Sequence, residues 1–196
     1  MEKNQLSRRN FLEKTALASA AVLAGISILS SCKNRAKTVD YEFPPSISKA
    51  PDGKTLRAGL VGCGNRGTGA ALNFLDAGNG LELIALADVF EDKVWDSRSK
   101  LQNQNVEVPE KNCFWGFDGY KKLLELDLDV VILATPPHFR PEHFDACVQA
   151  KKNVFMEKPV CVDPVGARQI IATSKKAENM GLTVITGTQR RHQHDS

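Results

Sequence analysis

The sequence has almost no excess of charge of either sign. Its 26 lysine and arginine residues and 23 aspartate and glutamate residues give a formal net charge of +3 at pH 7. Proteins that bind nucleic acid concentrate positive charge to neutralise phosphates, so no nucleic-acid partner is predicted. With 42% hydrophobic and 25% charged residues, the composition is that of an ordinary globular domain.

Metal-binding spacings are also absent from the sequence. The cysteines form no C-x-x-C pair, and His138 and His143 do not have the spacing of a zinc-binding H-E-x-x-H helix. No metal site is therefore predicted. Four cysteines lie in apolar segments and are interpreted as small buried core residues: Cys63, Cys113, Cys147 and Cys161.

The N-terminal region has no hydrophobic run that could span a membrane. The run from Ala16 to Leu29 contains 14 residues, which is typical of the apolar part of an export signal. The preceding S-R-R-N-F-L resembles the twin-arginine export signal, with Glu13 where a lysine is usual. The segment L-S-S-C that ends at Cys32 resembles a lipobox, whose cysteine becomes the lipidated first residue of the mature protein.

These two motifs predict the role of the first 55 residues. Residues 1–32 are interpreted as a twin-arginine signal with a lipobox, and the proline-containing residues 33–55 as a linker. The predicted partners are the twin-arginine export machinery and a membrane, which the protein would contact through lipid on Cys32. The predicted location is the periplasm or the cell envelope.

Three glycines separate an apolar strand pattern from a helical pattern. Residues 58–61 are apolar, G-C-G-N-R-G follows, and residues 68–77 carry apolar side chains at helical spacing. In a dinucleotide-binding loop the first glycine makes a tight turn, the second admits a pyrophosphate, and the third lets the helix pack on the strand. The loop is therefore predicted to hold the phosphates of a dinucleotide, through residues Gly62, Gly64, Asn65, Arg66 and Gly67.

A carboxylate follows at the distance that this interpretation requires. Asp88 ends the second strand pattern, L-E-L-I-A-L-A-D-V-F, 21 residues after Gly67. A carboxylate there can accept hydrogen bonds from both ribose hydroxyls, and it would repel a 2′-phosphate. The predicted cofactor is therefore NAD, with NADP less favoured.

Strand and helix patterns alternate along the rest of the chain. The alternation predicts an α/β fold with a doubly wound, six-stranded parallel sheet, that is, a Rossmann domain over residues 56–188. Asp118 is predicted to cap the N-terminus of one helix. The predicted strands are 57–61, 81–90, 112–115, 129–135, 153–156 and 182–188, and the predicted helices are 68–77, 94–104, 118–126, 141–150 and 163–180.

Two later loops carry residues suited to chemistry, because ligands bind such sheets at the carboxyl ends of the strands. Thr135 and Pro136 form a turn after the fourth strand and are expected beside the nicotinamide half of a dinucleotide. His138 follows, and it is either a cofactor or substrate contact or a turn histidine that faces water. In E-K-P after the fifth strand, Lys158 is either partly buried in the crevice, where its amine could shuttle a proton, or a lysine that faces solvent after a strand.

Four segments, in this order and spacing, closely resemble the glucose-fructose oxidoreductase / inositol dehydrogenase / rhizopine catabolism (Gfo/Idh/MocA) family. They are GLVGCGNRG, ALADVF, ILATPPHFRPEH and VFMEKPV, and E-K-P is the most specific of their motifs. The resemblance implies that Lys158 is a catalytic acid/base near the nicotinamide and the substrate hydroxyl. It also implies that Glu157, Asp88, Thr135, Pro136 and the glycine loop line the cofactor site, and that a sugar or polyol is oxidised.

The resemblance further implies a second α/β domain, which in the family supplies the substrate pocket and most dimer contacts. The sequence ends a few residues after the sixth strand pattern, so residues 189–196 are interpreted as a tail where that missing domain would start. The full-length form is expected to be a homo-oligomer. Surface left uncovered by the second domain predicts poor solubility.

Four functions remain open from the sequence. The first is an NAD-dependent oxidoreductase of the family, and the second is a related glycosidase that keeps NAD bound and shows no net redox turnover. The third is a non-catalytic nucleotide-binding fragment. The fourth is a methyltransferase, against which the E-K-P element and the Thr-Pro-Pro turn argue.

Overall fold

The computed structural model describes residues 53–188 of the chain. The predicted signal with Cys32, most of the predicted linker and the predicted tail at 189–196 lie outside the described residues, and they stay predictions. None of the helices in the described part is both long enough and apolar enough to cross a membrane.

The described residues form a six-stranded parallel sheet with helices between successive strands. The strand order is β3-β2-β1-β4-β5-β6, and every neighbouring pair is parallel. The predicted doubly wound Rossmann fold is confirmed. The strands are β1 (Leu56–Val61), β2 (Leu81–Asp88), β3 (Cys113–Trp115), β4 (Val130–Leu133), β5 (Asn153–Glu157) and β6 (Val184–Gly187), and the helices are α1 (Asn65–Asp76), α2 (Glu91–Gln102), α3 (Gly119–Leu124), α4 (Arg140–Gln149) and α5 (Pro164–Asn179).

The central strands are buried on both faces, as their apolar sequences require. One core cluster contains Leu133 and Phe144, and a second contains Leu60 and Ile132. Adjacent residues of β4 thus point into different clusters, because side chains alternate between the faces of a strand. The reversal of strand order between β1 and β4 opens a crevice at the carboxyl ends of these strands, where ligands bind such sheets.

Two local predictions were wrong. Cys63, Cys113 and Cys147 are buried, but Cys161 is only half-buried because it lies in the loop between β5 and α5. Asp118 precedes α3, but its side chain accepts no hydrogen bond from the helix backbone and instead pairs with Lys121 at 2.7 Å.

Helix α1 begins three residues earlier than the sequence pattern indicated, at Asn65 rather than Thr68. The third glycine of the loop therefore lies in the first turn of the helix. This start brings the N-terminus of α1 directly to the end of β1, which positions it at the crevice.

Candidate cofactor site

Two glycines of the loop are fixed by close backbone approach. Gly62 has φ +98°, and a Cβ there would lie 2.7 Å from the backbone of Ala134 and Thr135. A Cβ on Gly67 would lie 1.8 Å from the carbonyl oxygen of Gly62. No other residue type fits either position, so the first glycine makes the turn and the third lets α1 pack on β1.

The second glycine has a different environment. A Cβ on Gly64 would have no heavy atom within 4 Å, and Gly64 lines an open cleft, so a side chain would project into the space a ligand needs. Gly64 is also the N-cap of α1, with no side-chain cap and no acidic residue in the first turn. A helix end of this kind offers amide groups and a positive dipole end to a phosphate. The loop therefore fits the pyrophosphate of a dinucleotide.

Asp88 is held in place by backbone amides at the end of β2. Its Oδ2 accepts a hydrogen bond from the Cys63 amide at 2.7 Å, and its Oδ1 accepts one from the Phe90 amide at 3.0 Å. The carboxylate is therefore fixed against the glycine loop while it remains half-buried at the cleft wall. Its remaining lone pairs suit the hydroxyls of a ribose.

The cleft along the carboxyl ends of β1, β2 and β4 has a volume of about 500 Å³. Six residues predicted to bind the cofactor line it: Gly62, Gly64, Arg66, Asp88, Thr135 and Pro136. Asn65 instead accepts a hydrogen bond from Lys100 at 2.9 Å, away from this cleft. His138 is exposed, does not line the cleft, and has its ring against Phe139.

His143, to which the sequence pattern assigned no role, lines the same cleft. Its Nδ1 is 3.2 Å from the hydroxyl of Thr135, and its ring centroid is 4.3 Å from that of Tyr120. Burial lowers the pKa of His143, although the charge of Glu142 opposes the shift, so the imidazole is neutral at pH 7. A neutral imidazole fixes the orientation of the Thr135 hydroxyl without adding a charge to the cleft.

The E-K-P loop is joined to the glycine loop by an ion pair. The carboxylate of Glu157 is buried and pairs with Arg66, from the first turn of α1. Lys158 follows directly and is exposed, so the partly buried alternative was wrong. Lys158 is exposed because β5 ends at Glu157 and Lys158 lies beyond the carboxyl end of the strand.

Arg140 is a second residue that sequence reasoning missed. It is the first residue of α4 and only 5% exposed, and its Nε donates to the carbonyl of Thr135 at 2.7 Å. Its Nη1 donates to the carbonyls of Glu157 and Pro159. Both Arg140 and His143 belong to the F-R-P-E-H segment after the Thr-Pro turn. The arginine and the histidine follow soon after the end of β4, where ligands bind such sheets, and this position was the signal that could have identified them.

The fold and the cleft together define a dinucleotide-binding domain. The family model described as "Oxidoreductase family, NAD-binding Rossmann fold" matches residues 56–186. The chain therefore belongs to the Gfo/Idh/MocA oxidoreductase family. The resemblance stated from the sequence is confirmed at the level of the family.

Curated relatives include both dehydrogenases and glycoside hydrolases. A myo-inositol 2-dehydrogenase from Thermotoga maritima is 30% identical over 136 residues, which cover 69% of this chain and 37% of that protein. A glycosyl hydrolase family 109 protein from Shewanella pealeana is 28% identical over 178 residues, which cover 89% of this chain and 38% of that protein.

Solved structures of similar fold show the same partial coverage. The scyllo-inositol dehydrogenase of Lactobacillus casei, with bound NAD(H) and scyllo-inositol, superposes with a TM-score of 0.59 at 24% identity. The superposition covers 72% of this chain and 38% of the dehydrogenase. The chain thus spans less than two fifths of the length of the relatives it matches.

Proposed function

We propose that the chain is the cofactor-binding part of an NAD-dependent oxidoreductase that acts on a hydroxyl of a sugar or polyol. The observation that carries the proposal is the ion pair between Arg66 and Glu157, which joins the dinucleotide-binding loop to the loop bearing Lys158. A group that handles the substrate proton has to lie beside the group that accepts the hydride. The dehydrogenases among the relatives support the substrate class.

NAD is the proposed cofactor, rather than NADP, because of the fixed carboxylate at the end of β2. Asp88 is tied to two backbone amides and cannot swing away from a bound ribose without losing both. A 2′-phosphate would meet this negative charge at short range. Asp88→Asn should bring the NADP dissociation constant closer to that of NAD, because the charge that repels the 2′-phosphate is lost. Isothermal titration measures both constants, and an unchanged ratio would contradict the assignment.

Lys158 is proposed as the acid/base of the reaction. NAD, when bound, supplies the hydride acceptor for the carbinol carbon. The deprotonated amine of Lys158 accepts the proton that leaves the substrate hydroxyl, and the resulting ammonium group returns that proton in the reverse direction. Lys158 is exposed at the carboxyl ends of the strands, which leaves its amine open to a substrate, although it does not itself line the cleft.

The experiment that tests this proposal compares two lysines at opposite ends of β5. In the full-length form, Lys158→Met should lower kcat by a factor of about 10² to 10⁴ with little effect on the NAD dissociation constant, as expected when a proton-transfer group is lost. Lys151→Met, beside the other end of the strand, is the matched control and should retain kcat. NADH formation with a panel of inositols and aldoses provides the readout, and an unchanged kcat for Lys158→Met would contradict the proposal.

A glycosidase with tightly held NAD is the second candidate. The similarity to the glycosyl hydrolase family 109 protein extends over 89% of this chain and favours this alternative. Net redox turnover distinguishes the two functions. Release of nitrophenol from p-nitrophenyl glycosides without accumulation of NADH would favour the glycosidase, whereas NADH formation with free polyols would favour the dehydrogenase.

We also propose that the protein is exported by the twin-arginine pathway, is anchored by lipid on Cys32, and forms homo-oligomers in its full-length form. The S-R-R-N-F-L and L-S-S-C segments support export and anchoring. Export of a folded domain suits a protein that acquires its dinucleotide before translocation. Cys32→Ser should move the protein from the membrane fraction to the soluble envelope fraction, and full retention in the membrane would contradict the anchor.

A further inference from the structure

We infer that Arg140 is a positioning residue that fixes the backbone on both sides of Lys158. The inference rests on the proposed function of that lysine. Arg140 and the three carbonyl groups that it contacts, those of Thr135, Glu157 and Pro159, are called the Arg140 bracket here. Two of these carbonyls flank Lys158 directly, and the third belongs to the turn that lines the cofactor cleft.

The bracket lies where the pairing of β4 with β5 stops, while β5 stays paired with β6 as far as Glu157. Strands β4 and β5 are paired as far as Leu133 and Met156, and no further. Beyond these residues, no pairing between β4 and β5 holds the Thr-Pro turn next to the E-K-P loop. Arg140 lies between the loops, at the start of α4, and donates to both of them. Its side chain thus sets the separation of the Thr-Pro turn from the E-K-P loop.

The guanidinium is suited to this task, and few other side chains are. Its donors have a fixed planar arrangement, so one group can satisfy carbonyls from two directions at once. The side chain is buried, and burial lowers its pKa, while the charge of Glu157 opposes the shift. The negative charge of Glu157 therefore compensates part of the cost of burying Arg140. A lysine could supply a charge at this position but not the same fork of donors.

Fixing both flanking carbonyls leaves Lys158 free to move mainly about its side-chain bonds. The position of its Cα relative to the cofactor cleft is set by the bracket on both sides and, on the side of Glu157, also by the Glu157–Arg66 ion pair. Misplacement of a catalytic group by about 1 Å can cost about 100-fold in rate. The bracket is therefore expected to affect catalysis through the position of Lys158, and Arg140 also lines the cofactor cleft.

Hydrogen–deuterium exchange tests the bracket without any assumption about catalysis. In Arg140→Met, amides of residues 155–157, at the carboxyl end of β5, should exchange at least about tenfold faster because this end of the strand opens more easily, whereas amides of β1 should be unchanged. Arg98→Met is the matched control, because Arg98 is also partly buried and donates from Nε to a backbone carbonyl, that of Val108, at 2.9 Å. This control should leave residues 155–157 unaffected. Unchanged exchange in Arg140→Met would overturn the inference.

A second measurement connects the bracket to Lys158. Lysines are reductively methylated with ¹³C-formaldehyde, the Lys158 signal is assigned by its loss in Lys158→Arg, and NAD is added to saturation. In the unsubstituted protein and in Arg98→Met, NAD should shift this signal. In Arg140→Met the shift should be markedly smaller even at NAD concentrations that saturate the variant; its NAD dissociation constant is measured first because Arg140 also lines the cleft. A full shift in Arg140→Met would overturn the positioning role.

The two measurements separate the failure of this inference from the failure of the proposed function. If NAD does not shift the Lys158 signal even in the unsubstituted protein, the proposed place of Lys158 beside the cofactor is wrong, and the exchange data alone decide on the bracket. Arg140→Lys is measured in parallel because Arg140→Met removes a buried charge and can impair folding. Arg140→Lys should give exchange rates and NAD-induced shifts between those of the unsubstituted protein and Arg140→Met, and values equal to those of the unsubstituted protein would overturn the need for the guanidinium fork.

Discussion

Single atoms decide which residues the glycine loop accepts. Gly67 and Gly69 lie two positions apart in α1, yet a Cβ on Gly67 would overlap the carbonyl oxygen of Gly62 and a Cβ on Gly69 would meet nothing within 4 Å. The sequence alone does not distinguish them beyond the spacing of the loop motif. The difference arises because one face of the helix packs on the end of β1 and the other does not.

Gly67→Ala should therefore lower the free energy of unfolding by about 3 kcal/mol, since backbone must move to admit the methyl group. It should also weaken NAD binding, because the first turn of α1 would be displaced. Gly69→Ala is the matched control and should raise the free energy of unfolding by up to about 1 kcal/mol, because alanine favours a helix. Urea denaturation measures both values, and equal effects would contradict the packing role of Gly67.

The buried histidine of the cleft makes stability depend on pH. Burial lowers the pKa of His143 below its ordinary value of 6.5. As the pH falls below that value, the unfolded chain takes up a proton that the folded protein resists, so the free energy of unfolding falls. The free energy of unfolding begins to fall near pH 6.5 and stops falling once the pH is below the lowered pKa of His143 in the folded protein. Between these two points it changes by up to about 1.4 kcal/mol per pH unit.

His143→Gln should therefore flatten the pH dependence of stability at mildly acidic pH. His138→Gln is the control, because His138 is exposed, and it should leave the slope unchanged. Urea midpoints measured at pH values from about 7.5 to about 5.5 cover the window in which the proton is taken up. A slope retained in His143→Gln would show that another group is responsible.

At the scale of the elements, two aspartates at helix starts have different roles. Asp163 Oδ1 accepts a hydrogen bond from the Gly166 amide at 2.6 Å, which caps α5. Asp118 precedes α3 in the same way, but its side chain pairs with Lys121 on the surface. Both aspartates fit the sequence pattern of a cap, and only the backbone conformation separates them, since Asp163 is extended and Asp118 is not.

Asp163→Ala should lower the free energy of unfolding by about 1 kcal/mol, because an amide of the first turn loses its partner. Asp118→Ala should have a smaller effect, since exposed ion pairs contribute little. Thermal and urea denaturation of the two variants give the comparison. The assignment fails if the loss is larger for Asp118→Ala.

The elements show what the sequence can predict and what it cannot. The order of strands and helices follows from apolar runs and periodicity, and the loop from β1 to α1 follows from the spacing of its glycines. The Arg140 bracket and the contact of His143 with Thr135 could not be predicted, because each depends on where α4 packs against loops from two strands. Lys158 could be partly buried because it follows a buried strand. It is exposed because it lies one residue beyond the carboxyl end of β5.

At the scale of the whole domain, the described residues cover one face of the sheet less completely than the other. An apolar groove of about 600 Å³ lies between α1 and strands β4 to β6, with Phe74, Phe155 and Ile185 among its lining residues. Within residues 53–188, β6 is an edge strand of the sheet, so unpaired backbone groups adjoin this groove. Apolar surface beside an open strand edge promotes association between copies of a chain.

We therefore expect the chain to self-associate through this groove, which is consistent with the poor solubility predicted from its sequence. Ile185→Lys places a charge in the groove and should reduce the weight-average mass at high protein concentration, measured by sedimentation velocity. Ile171→Lys on α5 is the matched control, because the two isoleucines are 54% and 58% exposed and only Ile185 lines the groove. If Ile171→Lys reduces association equally, general surface hydrophobicity is the cause. A selective effect of Ile185→Lys would assign the association to the sheet face that α1 leaves uncovered.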